Sequence, residues 1–154
     1  MHINMTAAIW IIAAVANTAI AGARQDAKTV MASDPGLAKI EADWGFSDAI
    51  VIGDTIYLSG VVAAVRDGET DLRLAYTRAF DRVGETLKKA GASWDDVVDI
   101  TSFHTDLTTQ MPAMVAVKNG YIKSPFPAWT AIQVARLIPP AGITEIKIIA
   151  KKHG

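Results

Sequence analysis

The stretch "AIVIGDTIYLSG", residues 49–60, decides the fold. Two β-rich runs, 49–52 and 55–60, flank Gly53-Asp54, and a two-residue Gly-Asp connection between such runs signals a hairpin. "VVAAVRDGET" prolongs it as a further strand or its exit, and Asp67-Gly68 marks another turn. A helix follows, because Leu72, Tyr76, Ala79, Val83, Leu87 and Ala90 recur at three-to-four spacing and form one apolar stripe. Lys88 and Lys89 complement the dipole of its last turn, and Gly91 supplies the stop. Gly84 in its middle costs about 1 kcal/mol relative to alanine and permits close packing.

Further on, "SWDD" offers Ser93 as an N-cap with Asp96 at capping-box spacing. That predicts a single turn before a strand over 97–105. A second helix is predicted to start near Thr109, with Pro112 in its first turn and Met111, Met114, Val115, Lys118, Tyr121 and Ile122 near one face. Two strands close the chain, 128–135 and 144–151, joined by the rigid turn "IPPAG". Period-two alternation sets Thr130/Ile132/Val134 and Ile146/Ile148/Ala150 toward the helices. Trp129/Ala131/Gln133 and Glu145/Lys147/Ile149 then share the other face. The order β-β-(β)-α-β-α-β-β, with single-striped helices, is an α/β two-layer sandwich: a mixed sheet with two helices on one face. Its uncovered, half-apolar face implies self-association.

The chain has 154 residues, 15 basic and 16 acidic, for a net charge of -1. That balance gives no electrostatic pull toward nucleic acid. With no cysteine, thiolate chemistry, disulfides and cysteine-based zinc sites are excluded, and three scattered histidines give no metal spacing. No dinucleotide, P-loop or G-x-S-x-G fingerprint occurs. The uncharged, Ala- and Ile-rich segment 6–23 ends in A-x-A-like small residues before "RQDAK". This is the pattern of a secretory signal, though its only n-region cation is His2. The expected organisation is a signal peptide over 1–23, a lead-in or linker over 24–43, and one domain over 44–154. Export to the periplasm follows, with no stable membrane insertion after removal; if the segment is not a signal, the protein is cytoplasmic.

"GFSDAIVIGDTIYLSG", "AGASWDDVVDITSFHTDL" and "PFPAWTAIQVARL" followed by "TEIKIIA" together resemble the Rid family, also called YjgF or reactive-intermediate deaminase proteins. The resemblance covers roughly residues 45–151. It implies a chorismate-mutase-like fold and a homotrimer with clefts between subunits. It also implies hydrolysis of enamines and imines without metal or cofactor. In that chemistry a guanidinium clamps the substrate carboxylate and a carboxylate orients the attacking water.

Carried over residue by residue, the water-positioning carboxylate corresponds to Glu145. The first-motif tyrosine corresponds to Phe46, which lacks the hydroxyl. The helix asparagine corresponds loosely to Lys118, and Ser59-Gly60 offers backbone groups to a ligand. The clamp arginine corresponds to Trp129, which donates one N–H and carries no charge. Lys118 and Arg136 are the candidate replacement cations, each otherwise a solvated charge. Trp129 otherwise fills intersubunit space, Glu145 otherwise pairs with Lys147, and His104 reads as a buried, hydrogen-bonded histidine sooner than an acid/base. Three functions follow. The first is a trimer binding a small metabolite by a non-archetypal mode. The second is an imine deaminase using Glu145 on a substrate without the clamp. The third is an interaction or chaperone-like module.

Overall fold

A computed structural model describes residues 22–153; the signal expected over 1–23 lies almost wholly outside them. In chain order the elements are β1 (Lys28–Val30), α1 (Pro35–Trp44), β2 (Ala49–Ile52), β3 (Thr55–Leu58), β4 (Val61–Ala64) and α2 (Leu72–Ala90). They continue as β5 (Val97–His104), α3 (Leu107–Tyr121), β6 (Ala128–Gln133) and β7 (Gly142–Lys151), with a 3₁₀ turn Trp94–Asp96 before β5. The hairpin forms as expected: Gly53 adopts φ 60 and Ile52 pairs Thr55. The sheet runs β1-β2-β3-β7-β5-β6, with β4 also on β7. Among the described residues only the β5–β6 pairing is parallel, so the sheet is mixed.

β7 is the spine. β3 pairs with its C-terminal part through Tyr57↔Ile149, and β4 pairs with its N-terminal part through Val62↔Glu145. β5 runs along its other side. Ser59 and Gly60 sit at the break between the two short strands.

α2 and α3 cover one face, where Ile56, Ile100, Ile146 and Ile148 are fully buried against Tyr76, Phe80, Val83, Leu87 and Met114. Each large apolar side chain so buried contributes about 1.5–3 kcal/mol. Phe80 stacks on Trp94 and on Tyr121, with ring centroids 5.4 and 5.3 Å apart. Gly84 explains itself here, since a Cβ on it would lie 3.1 Å from the Trp94 indole nitrogen. Gly91 ends α2 at φ 86, and the Ser93/Asp96 capping box forms. The opposite face is bare and half-apolar, with Tyr57 and Ile132 exposed.

Three expectations need correction. The stretch 24–43 is not an irregular linker: it forms β1 and most of α1. Asp34 caps α1, Pro35 occupies its first turn and Gly45 closes it at φ 72. No apolar stripe betrayed it, because its buried position is Glu41 while Ile40 and Trp44 face outward. α3 starts at Leu107, because Asp106 accepts from Thr108 and Thr109 N–H. Pro112 is therefore inside the helix, where it removes one backbone donor.

The β6 alternation has the right period and the wrong phase. Trp129 pairs Ile100 across the parallel ladder, and Ile100 pairs Ile148, so the indole faces the helices. Thr130 and Ile132 are exposed on the other side. The indole N–H settles the phase by donating to Ser102 Oγ at 2.9 Å.

Candidate functional site

The break between β3 and β4 builds the first cluster. Ser59 N–H donates to Asp48 O (2.8 Å) and its hydroxyl donates to Ser47 O (2.6 Å). These bonds tie the connection to the residues just before β2. Glycine at 60 leaves room for the Glu145 carboxylate, which a Cβ there would overlap and have to displace. Glu145 thus lies across the Ser59–Gly60 backbone. It is flanked by Val62 and Phe103 in register and half-buried. It lines a cavity of about 520 Å3 with Tyr57, Ser59, Gly60 and Lys147. It also lines a neighbouring one of about 890 Å3, to which Phe46 and Arg136 belong.

The second cluster lies on the helix face. Lys118 is 7% exposed, and its Nζ stands 5.2 Å from the Trp129 ring centroid and 5.5 Å from that of Phe126. It donates to Asn119 Oδ1 at 2.8 Å and has no ion pair among the described residues. Burial pushes its ammonium below the ordinary lysine range, while the two ring faces favour the charge. A pocket of about 290 Å3 opens between these residues, Ile100 and Pro127. Lys118 is therefore not a solvated surface cation; Arg136 is exposed.

A buried polar chain, which the sequence did not reveal, holds Trp129. Ser102 Oγ, accepting from the indole, lies 2.9 Å from His104 Nε2. His104 Nδ1 lies 3.0 Å from Thr144 Oγ1, which meets Tyr76 OH at 2.7 Å and Gln110 Oε1 at 3.4 Å. Ser102, His104, Thr144 and Tyr76 are fully buried. We assign the one proton arrangement that satisfies every partner. Ser102 donates to Nε2, Nδ1–H and Tyr76 O–H donate to Thr144, and Thr144 donates to Gln110. Burial holds the His104 pKa below its ordinary value, in keeping with a neutral ring. His104 is thus structural, positioning Trp129 through Ser102.

Of the expected site residues, Glu145, Ser59, Gly60 and Phe46 come together, and Trp129 and Lys118 come together. The two groups occupy opposite faces of one sheet. Among the described residues no cluster of three or more His, Cys, Asp or Glu could hold a metal, and no helix is long and apolar enough to cross a membrane.

Residues 37–152 match the family model described as endoribonuclease L-PSP. The RutC family protein YjgH of Escherichia coli K12 is 40% identical over 120 residues, covering 75% of this chain and 89% of that protein. The 2-iminobutanoate/2-iminopropanoate deaminase of Dermatophagoides farinae is 32% identical over 108 residues, covering 68% and 83%. The solved structure of a protein named YJGH superposes with a TM-score of 0.70 at 35% identity, over 82% of this chain and 97% of that one. The fold agrees with these relatives, and the chain belongs to the endoribonuclease L-PSP family, the Rid or YjgF proteins.

Proposed function

We propose that the protein assembles as a homotrimer and binds a small metabolite in the clefts between subunits. Archetypal carboxylate-clamped deamination is not its reaction. The observation that carries this is the orientation of Trp129. The residue at the clamp position turns its indole into the helix layer and bonds Ser102, so no guanidinium is offered there. The separation of the Glu145 and Trp129/Lys118 groups on opposite faces supports assembly, because one protomer cannot bring them to a single ligand. The bare, half-apolar sheet face supports it as well. The test is ammonia release from 2-iminopropanoate generated by an amino-acid oxidase, with light scattering for mass. Turnover is expected at the uncatalysed rate from a species of three chains. Efficient turnover, or a monomer, overturns the reading.

One observation favours hydrolase chemistry of a second kind. Lys118 brings a positive charge beside the Trp129 ring, and Glu145 is retained over Ser59–Gly60. In this reading Glu145 orients water onto the carbon of a neutral imine. The carbinolamine collapses to a carbonyl compound and ammonia. A Glu145→Gln variant loses that activity; unchanged kinetics remove Glu145 from it. We also infer export from segment 6–23. N-terminal sequencing of the mature protein is expected to begin after Ala21 or Ala23, and a start at Met1 refutes it.

A further inference from the structure

The surface carries an apolar knob and an apolar socket. The knob is Phe126 in the loop "KSPFP", residues 123–127, which joins α3 to β6. Its side chain is 66% exposed. Pro125 and Pro127 fix their own φ, and Pro127 also holds Phe126 extended. The ring is therefore presented with little left to order on binding. It also walls the Lys118/Trp129 pocket. The socket is the cavity of about 890 Å3 between α1 and the Leu137–Pro139 turn. Of the residues lining it, Ile40, Trp44 and Ile138 are 42%, 66% and 63% exposed. Large apolar side chains clustered around one opening mark an interaction surface, and such a pocket suits a buried aromatic anchor.

A chain cannot fill its own socket. Phe126 precedes β6 and the Leu137–Pro139 turn follows it. The six residues of β6, at roughly 3.3 Å each, set the knob about 20 Å from that wall. β6 is also the edge strand beyond β5, whereas Val62 and Ala64 of the socket belong to β4, on the other side of β7. The charges beside the two surfaces are complementary. Among the described residues Lys118, next to the knob, has no carboxylate partner, and Glu145, in the socket, has no cation.

We propose that a second copy of this chain fills the socket, Phe126 of one protomer seating between α1 and the Leu137–Pro139 turn of the next. Knob and socket are different surfaces, so the contact is heterologous, and repeated about an axis it closes a ring. Because Phe126 also walls the Lys118/Trp129 pocket, seating it sets that pocket against the neighbour's Glu145, Ser59 and Gly60. Each protomer alone holds half of two sites, and the contact completes one. The inference rests on the trimeric reading above and adds which surfaces meet in it.

The chain has no cysteine, which makes disulfide trapping a clean test. The double variant Phe126→Cys/Ile138→Cys, oxidised in dilute solution, is expected to give covalent dimers and trimers on a non-reducing gel. Each single variant is expected to stay monomeric there, because Phe126 meets Ile138 of the neighbour and never a second Phe126. Phe126→Asp, and separately Ile138→Asp, are expected to raise the concentration at which the assembly dissociates about tenfold or more, read by light scattering. Both side chains are exposed, so the circular dichroism of the protomer should not change. A trimer whose double variant gives no cross-link overturns this contact and leaves the trimeric reading standing; so does a trimer that Phe126→Asp does not weaken. Either is the outcome if the socket takes a small molecule or a different protein. Cross-linking by Phe126→Cys alone shows an isologous contact and overturns the proposal too. A wild-type monomer overturns both readings.

Discussion

Thr144 is the junction of the buried polar chain, and replacing it with valine tests that chain sharply. The substitution keeps the side-chain shape but removes the hydroxyl. Two donors then lose their partner: Tyr76 O–H at 2.7 Å and His104 Nδ1–H at 3.0 Å. Both residues are 0% exposed, so water does not replace the hydroxyl. Each unsatisfied donor costs about 1–3 kcal/mol, giving about 2–6 kcal/mol for Thr144→Val. Tyr76→Phe removes one donor and orphans nothing, because Thr144 keeps His104 and Gln110; it costs about 0.5–1.5 kcal/mol. In the double variant only His104 is left unsatisfied, at about 1–3 kcal/mol. The second substitution therefore restores stability to the first, a reversal of sign. The assay is urea unfolding of the four proteins at pH 8 and one fixed chain concentration. If Tyr76→Phe further destabilises Thr144→Val, the hydrogen-bond assignment is wrong.

Further outcomes concern the same core and its two surfaces. As pH falls below about 6.5, the ordinary histidine value, the unfolded chain binds a proton that buried His104 resists. Stability is therefore complete above that pH and declines through the window down to the folded pKa. The urea midpoint should show this decline in wild type, and a His104→Gln variant with the same slope would contradict it. Gly60→Ala should swing the Glu145 carboxylate away at about 1–3 kcal/mol, measured by urea unfolding and a crystal structure; an unmoved Glu145 would disprove the close contact. Acetic anhydride should label Lys118 far more slowly than Lys151, whose side chain is 60% exposed, and Trp129→Ala should remove that protection. Equal labelling of the two lysines in wild type, read by peptide mass spectrometry, would show that Lys118 is not enclosed.

The sequence disclosed what local chemistry controls. The Gly53-Asp54 hairpin, the stripe of α2 and the Ser93 capping box are short-range features, and each forms where expected. What stayed hidden depends on distant partners. The phase of β6 is set by a bond from Trp129 to a residue 27 positions away, and alternation alone carries no phase. α1 stayed hidden because a helix that buries a glutamate and exposes a tryptophan inverts the usual stripe. The family motifs singled out Glu145, Ser59 and Gly60, and the structure brings these three together. They gave no sign that Trp129 and Lys118 lie behind the sheet.

The interruption between β3 and β4 has a consequence for how this molecule tolerates change. β7 is gripped by β3 near its end, by β4 near its beginning and by β5 along its other side. Its register thus has three separate anchors, and none of them runs through Ser59 or Gly60. The residues proposed to meet a ligand are like keystones left out of the arch: new ones can be fitted without the span shifting. Diversification at this seam is mechanically cheap, and a scaffold so arranged can change its chemistry while the architecture stays as it was.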